Sequence, residues 1–170
     1  QDWTNINFNS NQIIEVLTQT IFKEWFGKYQ IGDELPEGWR YGKLREISKH
    51  VKDSVKPFSH PDKEYRHYSL PAYDNGLNPV IEYGKDIKSN KYLNQSNSFL
   101  ISKLNPFTPR IWTIFDSDLT DICSTEFQIV KPNKDVLFSL IHCLLNSEYF
   151  TSCLSQKVTG TSPSHQRVSP

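Results

Sequence analysis

Methionine is absent from all 170 residues, and cysteine and glycine are sparse, at three and seven. Three thiols, Cys123, Cys143 and Cys153, are too few and too odd in number for a disulfide framework. None forms a CxxC pair, so a zinc site is not expected, and a reducing, cytoplasmic setting is. No apolar run approaches the ~20 residues a membrane span needs. The polar opening, Gln1 to Asn9, does not read as a secretory signal. Net charge is zero, with 19 basic and 19 acidic residues, which taken alone argues against a nucleic-acid binder. Because the chain starts at Gln1 and lacks Met, both ends are expected to continue in a longer protein.

The signatures of catalysis are missing as well. There is no GxSxG elbow, no HExxH pairing among the five histidines, and no GxGxxG or Walker loop. Asn105-Pro106-Phe107 is a fragment of the methyltransferase NPPY pattern without its second proline, and no cofactor loop accompanies it. One enzymatic pattern survives. Pro61-Asp62 with Asp86-Ile87-Lys88 matches the loose proline-aspartate, acid-x-lysine arrangement of Mg²⁺-dependent nucleases, in which carboxylates hold the metal and the lysine steadies the attacking water. The match is short and its spacing is free, and Asp62 follows a turn, where a core strand is required.

Aromatic residues are plentiful: ten Phe, eight Tyr and four Trp supply a core despite a hydrophobic fraction of only 36%. The charge is also unevenly spread. Between Arg40 and Arg110 there are thirteen Lys/Arg against seven Asp/Glu, while both flanks are acidic. A basic middle suits an anionic ligand, with ordinary patchiness as the alternative.

Periodicity predicts an amphipathic helix over Asn11–Phe26, with Ile14, Leu17, Ile21 and Trp25 on one stripe and Ser10 or Asn11 as cap. Leu35-Pro36-Glu37-Gly38-Trp39 reads as the turn that opens the domain. Arg40–Lys56 fits a helix or a strand and turn equally well. Tyr65–Leu70, Phe99–Lys103, Ile111–Phe115 and Thr125–Val130 are strand candidates, separated by Pro, Gly, Asn and Asp turns. Asp135–Leu154 predicts a second long helix, carrying His142, Cys143 and Cys153. Trp112 and Phe127 are expected in the core. The layout of helix, β-rich middle and helix defines an α+β domain. The boundaries are an end of helix and linker over 1–34, a globular domain over 35–158, and a following segment over 159–170.

A binding surface remains. Lys85, Lys88, Lys91, Lys103 and Arg110 are interleaved with Asn90, Asn94 and Gln95. Lysine and arginine neutralise phosphates, and Asn, Gln and Arg pair bidentately with base edges. Lys52, Lys56, His60, Arg66 and His67 form a second candidate loop. The alternative for all of them is a solvated loop, and a protein-assembly module without a DNA role is the third reading beside DNA recognition and nuclease.

Three groups of motifs go further. The first is Thr20-Ile21-Phe22-Lys23-Glu24-Trp25-Phe26, followed by Glu34-Leu35-Pro36-Glu37-Gly38-Trp39. The second is Phe99-Leu100-Ile101-Ser102-Lys103-Leu104-Asn105-Pro106, Pro109-Arg110-Ile111-Trp112 and Ser124-Thr125-Glu126-Phe127. The third is Gly160-Thr161-Ser162 with His165-Gln166-Arg167-Val168. In this order the chain resembles the specificity subunits of type I restriction–modification systems. The resemblance implies a spacer-helix end, a β-rich target recognition domain flanked by helices, and the junction into a next spacer helix.

It further implies a non-catalytic chain that reads one half of a split site on double-stranded DNA. Spacer helices pair as an antiparallel coiled coil, which would make Ile14, Leu17, Ile21 and Trp25 interface residues. Methyltransferase subunits would bring S-adenosylmethionine and flip the target adenine, and a restriction (motor) subunit would bring ATP and Mg²⁺. This chain would hold no cofactor or metal and touch no membrane. Ser162, His165, Gln166 and Arg167 would contact DNA or position the helix. Such subunits usually carry two recognition domains, so this chain with one is expected to be half of a longer subunit or a half-size subunit that pairs with itself.

Overall fold

The computed structural model describes residues 13–156 and the backbone of two short pairs, 158–159 and 167–168. Residues 13–22 form helix α1, whose last turn widens into a π-helical turn, Lys23–Gly27. The expected caps, Ser10 and Asn11, lie outside the described residues. After the turn the chain folds back, and Trp39 stacks on Phe26 with ring centroids 5.3 Å apart while Tyr29 packs against it at 5.8 Å. The Pro36–Trp39 turn thus fastens the end of α1 to the start of the domain.

The ambiguous stretch after Arg40 resolves as both options in sequence. Helix α2 is a single turn, Leu44–Ile47, closed by Glu46 accepting from Lys43 N at 2.9 Å. Strand β1, Ser48–Val51, follows without a loop. Then come β2 (Ser54–Val55), a 3-10 turn (Pro57–Ser59), β3 (Glu64–Tyr68) and helix α3 (Leu70–Asp74). Ser69 caps α3, its hydroxyl accepting from Ala72 N, and Pro71 sits in the first turn where no N–H is needed. Next are β4 (Val80–Tyr83), a second 3-10 turn (Gly84–Asp86), β5 (Lys91–Leu93), β6 (Ser98–Ser102), β7 (Ile111–Ile114), β8 (Asp121–Ser124) and β9 (Phe127–Pro132).

The predicted single helix over Asp135–Leu154 is corrected to two, α4 (Phe138–Leu145) and α5 (Glu148–Gln156). Ser147 explains the break. Its hydroxyl donates to Leu144 O at 2.6 Å and accepts from Phe150 N at 3.2 Å, ending one helix and capping the next. The last elements are β10 (Val158–Thr159) and β11 (Arg167–Val168), a short antiparallel pair.

Strands β1 to β9 form two sheets. One has the order β1-β9-β6-β7 and is antiparallel throughout. The other runs β2-β5-β8-β3-β4, with β3 and β8 parallel. The chain passes between the sheets after β1, β5, β7 and β8, the last time through Thr125-Glu126. Tyr68, Ala72, Leu100, Trp112, Cys123, Phe127 and Ile129 form the core cluster to which both sheets contribute. On the other face of the four-stranded sheet, Phe99, Ile101 and Val130 pack against Ile141 and Leu145 of α4, joined by Leu44 and Phe150. This explains why β6, at the centre of its sheet, is buried at all five positions and reads as a continuous apolar run instead of an alternating one. Trp112 and Phe127 are core residues as expected, 6% and 0% exposed. Helices, an antiparallel sheet and a mixed sheet make an α+β fold.

Candidate nucleic-acid interface

Two segments 25 residues apart in the sequence meet at one place. Gly84 lies against the turn from Pro57 to His60, so close that a Cβ on it would run into the backbone carbonyl oxygens of His60 and Pro57. Gly84 N donates to Lys63 O at 2.9 Å, and Lys85 N donates to Pro61 O at 3.1 Å. Only glycine permits this approach. The two 3-10 turns are thereby joined back to back, and the side chains they carry share one surface.

That surface is basic and partly aromatic. Lys56, His60, Lys85 and Lys88 are exposed on it, with Lys63 at its edge. Lys88 Nζ donates to Lys85 O at 2.7 Å and lies 4.9 Å from the ring centroid of Phe58, itself 58% exposed. Lys85 Nζ sits 5.2 Å from the Tyr83 ring and Lys63 Nζ 5.0 Å from the Tyr65 ring. Asn90 is exposed just beyond. Two of the candidate groups read from the sequence are therefore neighbours in space. Phe58 and Lys63 were missed, although the signal was there: a Pro57 turn presenting an aromatic between lysines.

Other candidates are placed differently. Lys91 is only 7% exposed, its ammonium held by Ser89 Oγ at 2.6 Å, and burial holds its pKa below the ordinary lysine value. Asn94 is 5% exposed, with no hydrogen-bond partner for either amide atom. These two do not present themselves to a surface ligand. Arg66 makes a two-pronged ion pair with fully buried Asp121, which ties β3 to the parallel β8. Arg110 does the same to Asp74, at 2.7 and 3.0 Å, and holds that carboxyl below its usual pKa. His67 Nδ1 bonds Glu82 while its Nε2 is buried without a partner. Gln95 donates to Asp53 at 2.9 Å. Lys103 donates to Thr125 O at 2.6 Å and lies 5.8 Å from the Tyr92 ring.

Lys52 is exposed. Beside it His50 titrates below its ordinary value, first through burial and then through the charges of Lys52 and Lys103. Ser162, His165 and Gln166 lie outside the described residues. Arg167 pairs with Thr159 through its backbone, and its side chain is outside the description.

For the nuclease pattern, Asp62 lies in the turn that follows His60 and Asp86 in the second 3-10 turn, neither on a core strand, and Lys88 is turned toward Phe58. Among the described residues no three His, Cys, Asp or Glu side chains converge to form a metal site. The buried Cys123 thiol is pushed up to about 12 by desolvation, which leaves it without nucleophilic character. No helix among the described residues is long and apolar enough to cross a membrane.

The α+β arrangement, with helices against one of two sheets, is shared with part of solved specificity-subunit structures of type I restriction–modification systems. The chain is similar to the HsdS subunit from Thermoanaerobacter tengcongensis, at a TM-score of 0.63 and 24% identity over 81% of this chain and 36% of that one. It is equally similar, at a TM-score of 0.63 and 22% identity over 78% of this chain and 36% of the other, to a chain from a structure addressing complex assembly and conformational transition of the type I R-M system. The chain thus spans about a third of the length of these relatives. No protein-family model and no curated protein matches the sequence.

Proposed function

We propose that this chain is the DNA-reading part of a type I restriction–modification specificity subunit. The observation that carries the reading is the coincidence of that fold with an exposed basic surface built by the two joined turns. The domain would read one half of a bipartite site, and α1 would belong to a spacer that sets the distance to the other half. Bound methyltransferase subunits would supply S-adenosylmethionine and methylate adenine. A restriction subunit would supply ATP hydrolysis and Mg²⁺-dependent cleavage. The chain's own share is recognition. Phosphate contacts fix its register on the duplex, and base-edge contacts carry the sequence.

Methylome mapping of cells with and without the intact gene tests this. The expected result is loss of a bipartite adenine-methylation motif on deletion. An unchanged methylome would overturn the proposal.

A further inference from the structure

We propose that the joined turns, Pro57–Ser59 and Gly84–Asp86, form a phosphate anchor that grips duplex DNA without reading its sequence; this rests on the DNA-binding reading above. Three observations support it. First, the unit is rigid. Gly84 is wedged against the carbonyls of Pro57 and His60, and two backbone hydrogen bonds tie the turns together, so the cations of both segments move as one body. Second, the charge is made of point donors. Lys56, Lys63, Lys85 and Lys88 stand here with His60. The unit has no arginine or glutamine, and its one amide, Asn90, lies at the margin. Planar guanidinium and amide groups discriminate most bases best, whereas ammonium point charges suit phosphate oxygens. Third, the cations are held in place. The Lys85 carbonyl and the Phe58 ring hold Lys88, and the Tyr83 ring flanks Lys85. A side chain already restricted loses less freedom on binding.

Asp62 and Asp86 are exposed in the same segments, and Glu64 bonds Tyr83 beside Lys85, so four lysines stand against three carboxylates that oppose this attraction. The two aspartates supply a second, opposite test. Binding of the 170-residue chain to duplexes of several unrelated sequences would be measured from 50 to 300 mM salt. The K56A/K85A/K88A variant should lower the slope of log K against log salt by about 3, and weaken binding on the order of 100-fold, equally for every sequence. The D62N/D86N variant should tighten binding to all sequences and leave their ranking untouched.

An unchanged salt slope in the lysine variant, with its fold intact by circular dichroism, would overturn the anchor while leaving DNA recognition standing. So would a weakening confined to one sequence, which would make these lysines base readers. A wild-type chain that binds no duplex at 50 mM salt would overturn both.

Discussion

Arg66 and Asp121 are not equivalent partners. The carboxylate is 0% exposed and the guanidinium side chain 42%. If Asp121 is replaced, Arg66 can turn to water. If Arg66 is removed, a buried negative charge is left with only Asp118 N at 3.2 Å to answer it. Breaking a buried pair from the side that strands a charge is the costly direction. Arg66→Ala should therefore destabilise by about 3 kcal/mol, and Asp121→Asn by about 1–2 kcal/mol, in urea unfolding. Equal losses would mean that the pair is hydrated.

His67 gives a pH dependence. Its side chain is 14% exposed, and desolvation pulls its pKa below 6.5, against the opposing pull of the Glu82 carboxylate and with help from the Lys91 charge. The unfolded chain takes up this proton near 6.5 and the folded chain only at lower pH. Stability should thus be full above about pH 7 and fall as pH drops from 6.5 toward the folded value. His67→Gln should flatten that fall between pH 7.5 and 5.5, with His50, shifted the same way, keeping part of it. An identical pH profile in the variant would show that His67 binds its proton equally well in the folded and unfolded chain.

Elements differ in how far the sequence disclosed them. β6, β7 and β9 were legible because their buried positions are apolar, in runs rich in Phe, Leu, Ile and Trp, and their bounds moved by one or two residues. β4 and β5 were not. Val80 and Ile81 are exposed on an edge strand, and Lys91 is buried in a strand of three residues, so neither shows alternation. β8 contains Asp121, a charge that argues against a central strand until Arg66, 55 residues away, is known to answer it. The same limit applies to the binding surface. Individual lysines were readable, but their meeting depends on Gly84 approaching Pro57, a contact that no local pattern announces.

The break between α4 and α5 was hidden by apolar spacing that continues across it, with Asn146 and Ser147 as its marks. Ser147→Ala removes both hydroxyl bonds, so a loss of about 1 kcal/mol is expected in thermal or urea unfolding. No loss would mean that packing of Phe150 and Leu145 alone sets the corner.

At the scale of the molecule, α1 is unfinished. Ile14, Leu17, Ile21 and Trp25 are 55–63% exposed, while Phe22 and Phe26 on the other side pack onto the domain through Trp39. Glu15 adds a polar tie, 3.2 Å from His142 on α4. The helix is therefore fixed in orientation by one face and bare on the opposite one. Spacing of three and four continues from Ile14 to Ile21 and then reaches Trp25, one residue later than a strict heptad would place it. The π-helical turn at Lys23–Gly27 absorbs that residue and keeps Trp25 on the bare stripe. Such a stripe in water calls for another helix. In the isolated chain the available one is α1 of a second copy, which would also hold two copies of the domain at a fixed spacing. Sedimentation velocity should show a concentration-dependent dimer, and Leu17→Asp with Ile21→Asp should return it to monomer while leaving the melting temperature of the domain unchanged, because neither side chain enters its core. A wild-type chain that stays monomeric at every concentration would show that the stripe does not pair with itself.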